Sequence, residues 1–271
     1  MNSRREYIST AKFQQGENYR NPDNLRSRQS LYEYKRPQRD IQGFVAERVS
    51  GTPARILDVG CGNGSYVLRL REAFPEAEVV GIDKSAGVLD ELAEPTVVAD
   101  VVDLPFETGS ADVVLAMHML YHVPDIEKAL DELVRVLSPG GVLFVSTIAA
   151  DDKREYADLI VEAGREALGV DIDNPLGPAL DNFTLERAEE FLSARFESVE
   201  VHHLDGVVEL PEPDPLLAFH RSMSSFTELV EADFERVMDR IATRLETHFQ
   251  THDLFTITSH PGILECRSPS A

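Results

Sequence analysis

Short apolar runs alternate along this chain with longer stretches in which apolar residues return every three or four positions. The runs at Ala54–Asp58, Glu78–Asp83, Thr96–Asp100, Asp112–Met117 and Val142–Ile148 are rich in Val, Ile and Leu and read as buried strands. The clearest helix lies in "PDIEKALDELVRVLSPGG", where Ile126, Ala129, Leu130, Leu133, Val134 and Leu137 form one stripe. Asp125 is placed to cap its start, and Pro139, Gly140 and Gly141 end it. Strands alternating with amphipathic helices predict an α/β fold: a doubly wound, mostly parallel sheet with crossover helices.

After Ile148 the rhythm changes. A helix over 152–168 leads into the loop "VDIDNPLGPALDNF", then into a helix that Thr184 is placed to cap, then into the strand-like "FESVEVHHLDGVVEL". A second strand-like run, "LFTITSHPGILEC", comes only near the C-terminus. Between them, "PDPLLAFHRSMSSF" and "LVEADFERVMDRIATRLETHF" have helical periodicity, with Val230, Phe234, Val237, Met238, Ile241 and Leu245 on one stripe. The pattern predicts a hairpin at the sheet edge with a helical cap grown from its turn. We therefore divide the chain into an N-terminal arm or lid (1–45), a core (46–211 and 252–271) and a cap insertion (212–251).

Composition narrows the partners. The 271 residues are 42% hydrophobic, enough for one sizeable domain with a smaller elaboration. No twenty-residue apolar stretch is present, and the start, "MNSRREYIST", has no apolar centre. Neither a membrane span nor a secretory signal is expected, and the location expected is the cytoplasm. A net charge of −22 repels phosphate backbones and counts against a nucleic-acid partner. Residues 1–40 are the exception, holding nine of the 26 Lys/Arg but only five of the 48 Asp/Glu. Such an arm either docks as a solvated cationic segment on an acidic body or closes as a lid over an anionic group. Cys61 and Cys266 have no metal-binding or disulfide spacing, and the adjacent His202 and His203 point to opposite faces of a strand, so no metal is expected.

The stretch "ILDVGCGNGSY" places Gly60, Gly62 and Gly64 directly after the first core strand, where an open parallel sheet binds its ligand. Glycines there allow positive φ and a close backbone approach, with N–H groups offered at a helix start. A glycine run alone fits any nucleotide cofactor. The carboxylates say more. Asp83 ends the second strand with two oxygens suited to a ribose diol, and Asp100, beside the Val101 N–H, suits a purine edge. Asp58, two residues before the first glycine, is poorly placed for a pyrophosphate and well placed for a ligand end carrying an ammonium and a sulfonium, although it also suits the backbone donors of the turn. Three strand-end acids around one glycine turn make a consistent site for S-adenosylmethionine.

"LDVGCGNGSY", "VVGIDKS", "ADVVDLPFETGSADVVLAMHMLYHVPD" and "ELVRVLSPGGVLFVST", in that order and spacing, resemble the class I S-adenosylmethionine-dependent methyltransferases, in particular the small-molecule branch that includes the ubiquinone- and menaquinone-biosynthetic enzymes. The likeness runs from about Ala54 to Thr147. It implies a Rossmann-like seven-stranded sheet with six parallel strands and an antiparallel last strand. It further implies that the backbone of Gly60, Cys61 and Gly62 faces the methionine moiety, that Asp83 holds the ribose, and that Lys84 lies beside the adenine. Asp100 and Val101 would read the adenine edge, and the Met117 backbone would accept from the amino group. S-adenosyl-L-homocysteine is then the product, and a small-molecule O, N or C nucleophile of a specialised metabolite the acceptor.

Two histidines, His118 and His122, follow the fourth core strand at the expected acceptor rim. Either suits a general base, His118 the better, and either suits a loop-orienting role. In the arm, Tyr19 and Arg28 are candidates to close over the cofactor, against packing and solvation as the plainer roles. A cofactor-binding regulatory protein without methyl transfer, a different reaction on the same fold, an NAD-dependent oxidoreductase and a nucleic-acid methyltransferase are the rival readings. Asp58 and the charge disfavour the last two. The expected assembly is a monomer or homodimer.

Overall fold

The computed structural model describes residues 27–177, 182–224, 227 and 229–269. Ten strands are described: β1 Lys35–Arg36, β2 Arg55–Val59, β3 Glu78–Asp83, β4 Thr96–Val98, β5 Ala111–Met117, β6 Leu137–Ile148, β7 Phe196–His203, β8 Gly206–Leu210, β9 Phe255–Ser259 and β10 Pro261–Pro269. The helices are α1 Ile41–Arg48, α2 Ser65–Ala73, α3 Ala86–Leu89, α4 Ile126–Val136, α5 Arg154–Leu168, α6 Leu185–Ser193, α7 Asp214–Ser222 and α8 Glu231–Phe249, with 3-10 turns at Leu31–Tyr34 and Leu120–His122.

Seven strands form the main sheet in the order β4-β3-β2-β5-β6-β10-β7. β10 pairs antiparallel with both β6 and β7, so the other six strands run parallel, as the sequence pattern and the resemblance led us to expect. Two apolar clusters cover its faces. One gathers Leu130, Leu133, Leu143 and Leu264, and the other Val45, Ile56, Leu70 and Phe144, all fully buried. Each such side chain contributes about 2 kcal/mol by leaving water. Of the stripe expected on α4, Ile126, Ala129, Leu130 and Leu133 are buried, Val134 is half-buried and Leu137 already belongs to β6, and Asp125 caps that helix by accepting from the Lys128 N–H at 3.0 Å. Thr184 likewise accepts from the Arg187 N–H at the start of α6.

Three expectations need correction. β6 starts at Leu137, because the chain passes through Pro139–Gly141 as strand with an irregularity opposite Ala111 and Val113. The two late strand-like runs each break in two. His203 faces Gly262 and Gly206 faces Ser259, a single register on both sides of the break. They therefore form one hairpin, bent at Leu204–Asp205 and His260. Its near half closes the main sheet, and its far half joins β1 in a three-stranded sheet, β1-β8-β9. The bend is stitched by the Leu204 N–H to the Pro261 carbonyl (2.9 Å) and the Ala149 N–H to the His260 carbonyl (2.8 Å).

The boundary placed at residue 45 also falls inside an element, whereas 211 lies between β8 and α7. α1 spans residue 45 and packs Val45 and Ala46 on the main sheet, whereas Tyr156, Ile160 and Ala163 of α5 join Leu31, Val208, Phe219, Val237 and Ile241 in a second core. Periodicity identified the helices but carried no information on which of two cores each would cover.

Candidate active site

The carboxyl ends of β2, β3, β4 and β5 converge on the glycine turn. Gly60, Gly62 and Gly64 all have positive φ, as the sequence required. At Gly60 space matters as well, since a Cβ there would fall 2.8 Å from Met119 Cβ and Cγ. The Gly60 and Cys61 N–H groups both donate to the Ile82 carbonyl (2.7 and 2.9 Å), and the Gly62 N–H donates to Asp83 Oδ2 (3.1 Å). These three N–H groups therefore tie β2 to β3 and are not free for an anionic ligand.

Asp58 sharpens that polarity. The residue is 1% exposed, and Oδ2 has no hydrogen-bond partner among the described residues. Burial, and secondly the Asp83 carboxylate, push its pKa up to about 7. A buried acceptor without a donor is costly, and a cationic donor entering the site removes that cost. The α-ammonium of S-adenosylmethionine is such a donor, so the residues present fit this cofactor. A pyrophosphate would meet two carboxylates and spent N–H groups.

The remaining cofactor candidates gather around the same turn. Asp83 Oδ1 accepts from the Ser85 N–H at 2.9 Å, so each of its oxygens already holds one backbone donor and keeps acceptor capacity for a hydroxyl. Burial raises its pKa against those hydrogen bonds. Lys84 Nζ donates to Asp100 Oδ2 at 2.6 Å, and Asp100 Oδ1 accepts from the Val102 N–H at 3.3 Å. The Val101 N–H has no acceptor among the described residues, and its side chain is buried. Cys61 turns its thiol inward against Gly81, where a Cβ would lie 3.2 Å from Sγ, and burial with Asp58 and Asp83 keeps the thiol protonated. Only the Cys61 backbone is left for a ligand. Met117 closes β5 opposite Ser146.

Beyond Met117 the chain turns sharply. His118 has φ +54, and its N–H donates to the Ser146 carbonyl (3.1 Å) and hydroxyl (2.9 Å). Its residue surface is solvent-accessible, yet protein surrounds it on most sides. That desolvation, and then the Lys153 ammonium, pull its pKa down to about 4. His122 is half-buried, its ring edge-on to Tyr121 at 4.5 Å, with its pKa drawn to about 3 by burial and the Arg28 charge. Both imidazoles are therefore neutral and only weakly basic at pH 7. Low basicity lowers what either could contribute as the expected general base, most of all toward a weakly acidic acceptor.

Arg28 thus lies beside the His122 turn, and the neighbouring Gln29 accepts from Asn63 Nδ2 in the glycine turn at 3.0 Å. Tyr19 lies outside the described residues. Asn182 holds the same 3-10 turn, donating to the Tyr121 and Val123 carbonyls (3.0 Å each). Sequence reasoning missed Gln29, Lys35 and Lys153, none of which belongs to a motif, and gave no role to Met119 inside the quoted motif. Only the position of Lys153, just past a core strand's carboxyl end, hinted at the site. His202 packs edge-on to Phe44 and approaches Glu265 and Glu200, a grouping with metal-compatible spacing. Glu265 is already engaged by Arg267 (2.8 Å) and Arg48 (3.8 Å), with which a cation would have to compete.

Residues 57–145, the stretch that builds this turn and its acids, match the profile of the family described as "Methyltransferase domain". That stretch is similar to a methyltransferase domain. Within and around it the chain is 32% identical over 129 residues to malonyl-[acyl-carrier protein] O-methyltransferase of Legionella pneumophila, covering 44% of this chain and 45% of the relative. It is 41% identical over 102 residues to demethylmenaquinone methyltransferase of Thermus thermophilus, covering 34% and 46%. The chain thus spans under half the length of these relatives. A solved structure described as a methyltransferase from an antibiotic biosynthesis pathway of Anabaena variabilis shares the fold, with a TM-score of 0.61 at 18% identity over 83% of this chain and 95% of that one. Among the described residues no helix of the chain is long and apolar enough to cross a membrane.

Proposed function

We propose that the protein transfers a methyl group from S-adenosylmethionine to an O, N or C nucleophile of a small molecule, a specialised metabolite. The observation that carries this reading is the polarity of the glycine turn. The Gly60, Cys61 and Gly62 N–H groups are used within the fold, while Asp58 Oδ2 is buried without a donor among the described residues. That arrangement favours a cationic ligand end over a phosphate.

In this reading Asp58 and the turn hold the methionine end, Asp83 accepts from the ribose, and Asp100 and the Val101 N–H flank the adenine with Lys84. When bound, S-adenosylmethionine supplies a methyl group already activated by its sulfonium. The protein's share is alignment and exclusion of water. The His118 rim faces the acceptor, and the segment bearing Arg28 and Gln29, which touches the His122 turn and the glycine turn, closes the site. Ligands that bind only the folded chain raise its melting temperature. S-adenosylhomocysteine should do so and NAD should not; the reverse pattern would reject the proposal.

A further inference from the structure

The bend of the hairpin buries two lysines next to His118. Lys35 on β1 is 7% exposed and Lys153, between β6 and α5, is 2% exposed. Lys35 reaches this place because position 206 has no side chain: a Cβ on Gly206 would lie 2.5 Å from the Arg36 carbonyl oxygen and 3.0 Å from Lys35 Cε. The Lys35 ammonium donates to the Leu204 carbonyl at 2.7 Å. Its other two N–H groups have no acceptor among the described residues. Lys153 takes a left-handed conformation (φ +56), its N–H donates to the Thr258 carbonyl at 3.1 Å, and its ammonium lies 5.1 Å from the centre of the Tyr32 ring.

The charges do not balance. Among the described residues Asp152, 1% exposed, is the one buried carboxylate facing both lysines, and both its oxygens are used: Oδ2 holds the Lys153 ammonium, which the Tyr32 side chain also engages, and Oδ1 accepts from the His260 N–H at 2.6 Å. Arg39 and Asp205 add one charge of each sign around Lys35. Among the described residues one positive charge is left over in a buried position, in a chain whose net charge is −22. Burying an ammonium without a counter-charge is unfavourable, and Lys35 accordingly has its pKa lowered to about 8 by burial and by Lys153. The fields of both lysines reach the His118 ring, at the rim assigned to the acceptor.

We infer that Lys35 and Lys153 recognise a negative charge on the methyl acceptor, which is an oxygen acid bound as its anion. The inference rests on the methyl-transfer reading of the site. The step then balances without a base. A lone pair of the acceptor oxyanion forms the new O–C bond, the methyl C–S bond breaks with its electrons returning to sulfur, and anion and sulfonium both become neutral. No proton moves, which agrees with the weak basicity of His118 and His122 and with the spare cation nearby.

The test compares anions with neutral partners of the same shape, benzoate with benzamide and malonate with malonamide. Binding is read by calorimetry and by the His118 imidazole NMR signals, with and without S-adenosylhomocysteine. At least one anion should bind at least tenfold more tightly than its amide and shift the His118 signals. Lys35→Met, and Lys153→Met made together with Asp152→Asn, should each reduce that binding about ten- to a hundredfold, whereas Lys35→Arg should retain it. Gly206→Ala, which displaces Lys35 while keeping its charge, should also weaken it, so a poorly folding Lys35→Met does not decide the matter. Equal binding of anion and amide, or anion binding unchanged in Lys35→Met or in Gly206→Ala, would overturn the inference. Anion selectivity without any S-adenosylhomocysteine binding would instead count against the methyl-transfer reading alone.

Discussion

Asp58→Asn separates the cofactor role of this carboxylate from a structural one. The wild-type side chain is buried, and its pKa stands near 7 against an ordinary 3.8. Between those values the folded chain keeps a proton that the unfolded chain has lost, so stability falls as pH rises through the interval and levels off above pH 7. At about 1.4 kcal/mol per pKa unit, burial of Asp58 removes about 4 kcal/mol of stability between pH 4 and pH 8. Asparagine keeps the shape and is neutral throughout. Urea unfolding of the ligand-free proteins should therefore show the variant gaining on the wild type by up to about 4 kcal/mol across that range. The same substitution deletes the acceptor for an ammonium, a charge-assisted contact worth about 1.5–3 kcal/mol, so S-adenosylhomocysteine should bind about ten- to a hundredfold more weakly at pH 8 by calorimetry. A stability difference that does not change with pH, or an unchanged affinity, would refute the reasoning.

Two further outcomes are expected. His118→Ala should lower kcat less than tenfold, because an imidazole with a pKa near 4 is a poor base; a fall of about 10²–10⁴ with loss of an inflection near neutral pH would restore the general-base role. Leu31, fully buried in the second core, makes the segment before β1 part of the fold as well as a closure: Leu31→Ala should cost about 2–5 kcal/mol in urea unfolding, and unchanged stability would return the segment to a mere lid.

The main sheet was legible because its strands and α4 carry simple periodicities and because the glycines after β2 leave few conformational alternatives. The acids Asp58, Asp83 and Asp100 were legible for the same reason, since each ends or follows a recognisable strand. What pattern could not carry was competition for hydrogen bonds: nothing in "GCGNG" says that Ile82 and Asp83 take the Gly60, Cys61 and Gly62 N–H groups. Nor does local sequence report a long-range approach. Lys35 meets Leu204 across 169 positions, and the bend that brings them together lies inside what reads as two unbroken strands. The basicity of His118 depends on burial first and then on Lys153 and Lys35, which became its neighbours only through that bend.

The most direct test of the central claim is incubation of the protein with S-adenosylmethionine bearing a trideuterated methyl group and a small-metabolite extract, followed by mass spectrometry. The expected result is at least one small molecule that gains a single trideuteromethyl group, matched by an equal amount of S-adenosylhomocysteine, and neither product with Asp58→Asn at a cofactor concentration that saturates only the wild type. S-adenosylmethionine that binds and is recovered intact, with no labelled molecule formed across extracts, would contradict the claim of methyl transfer.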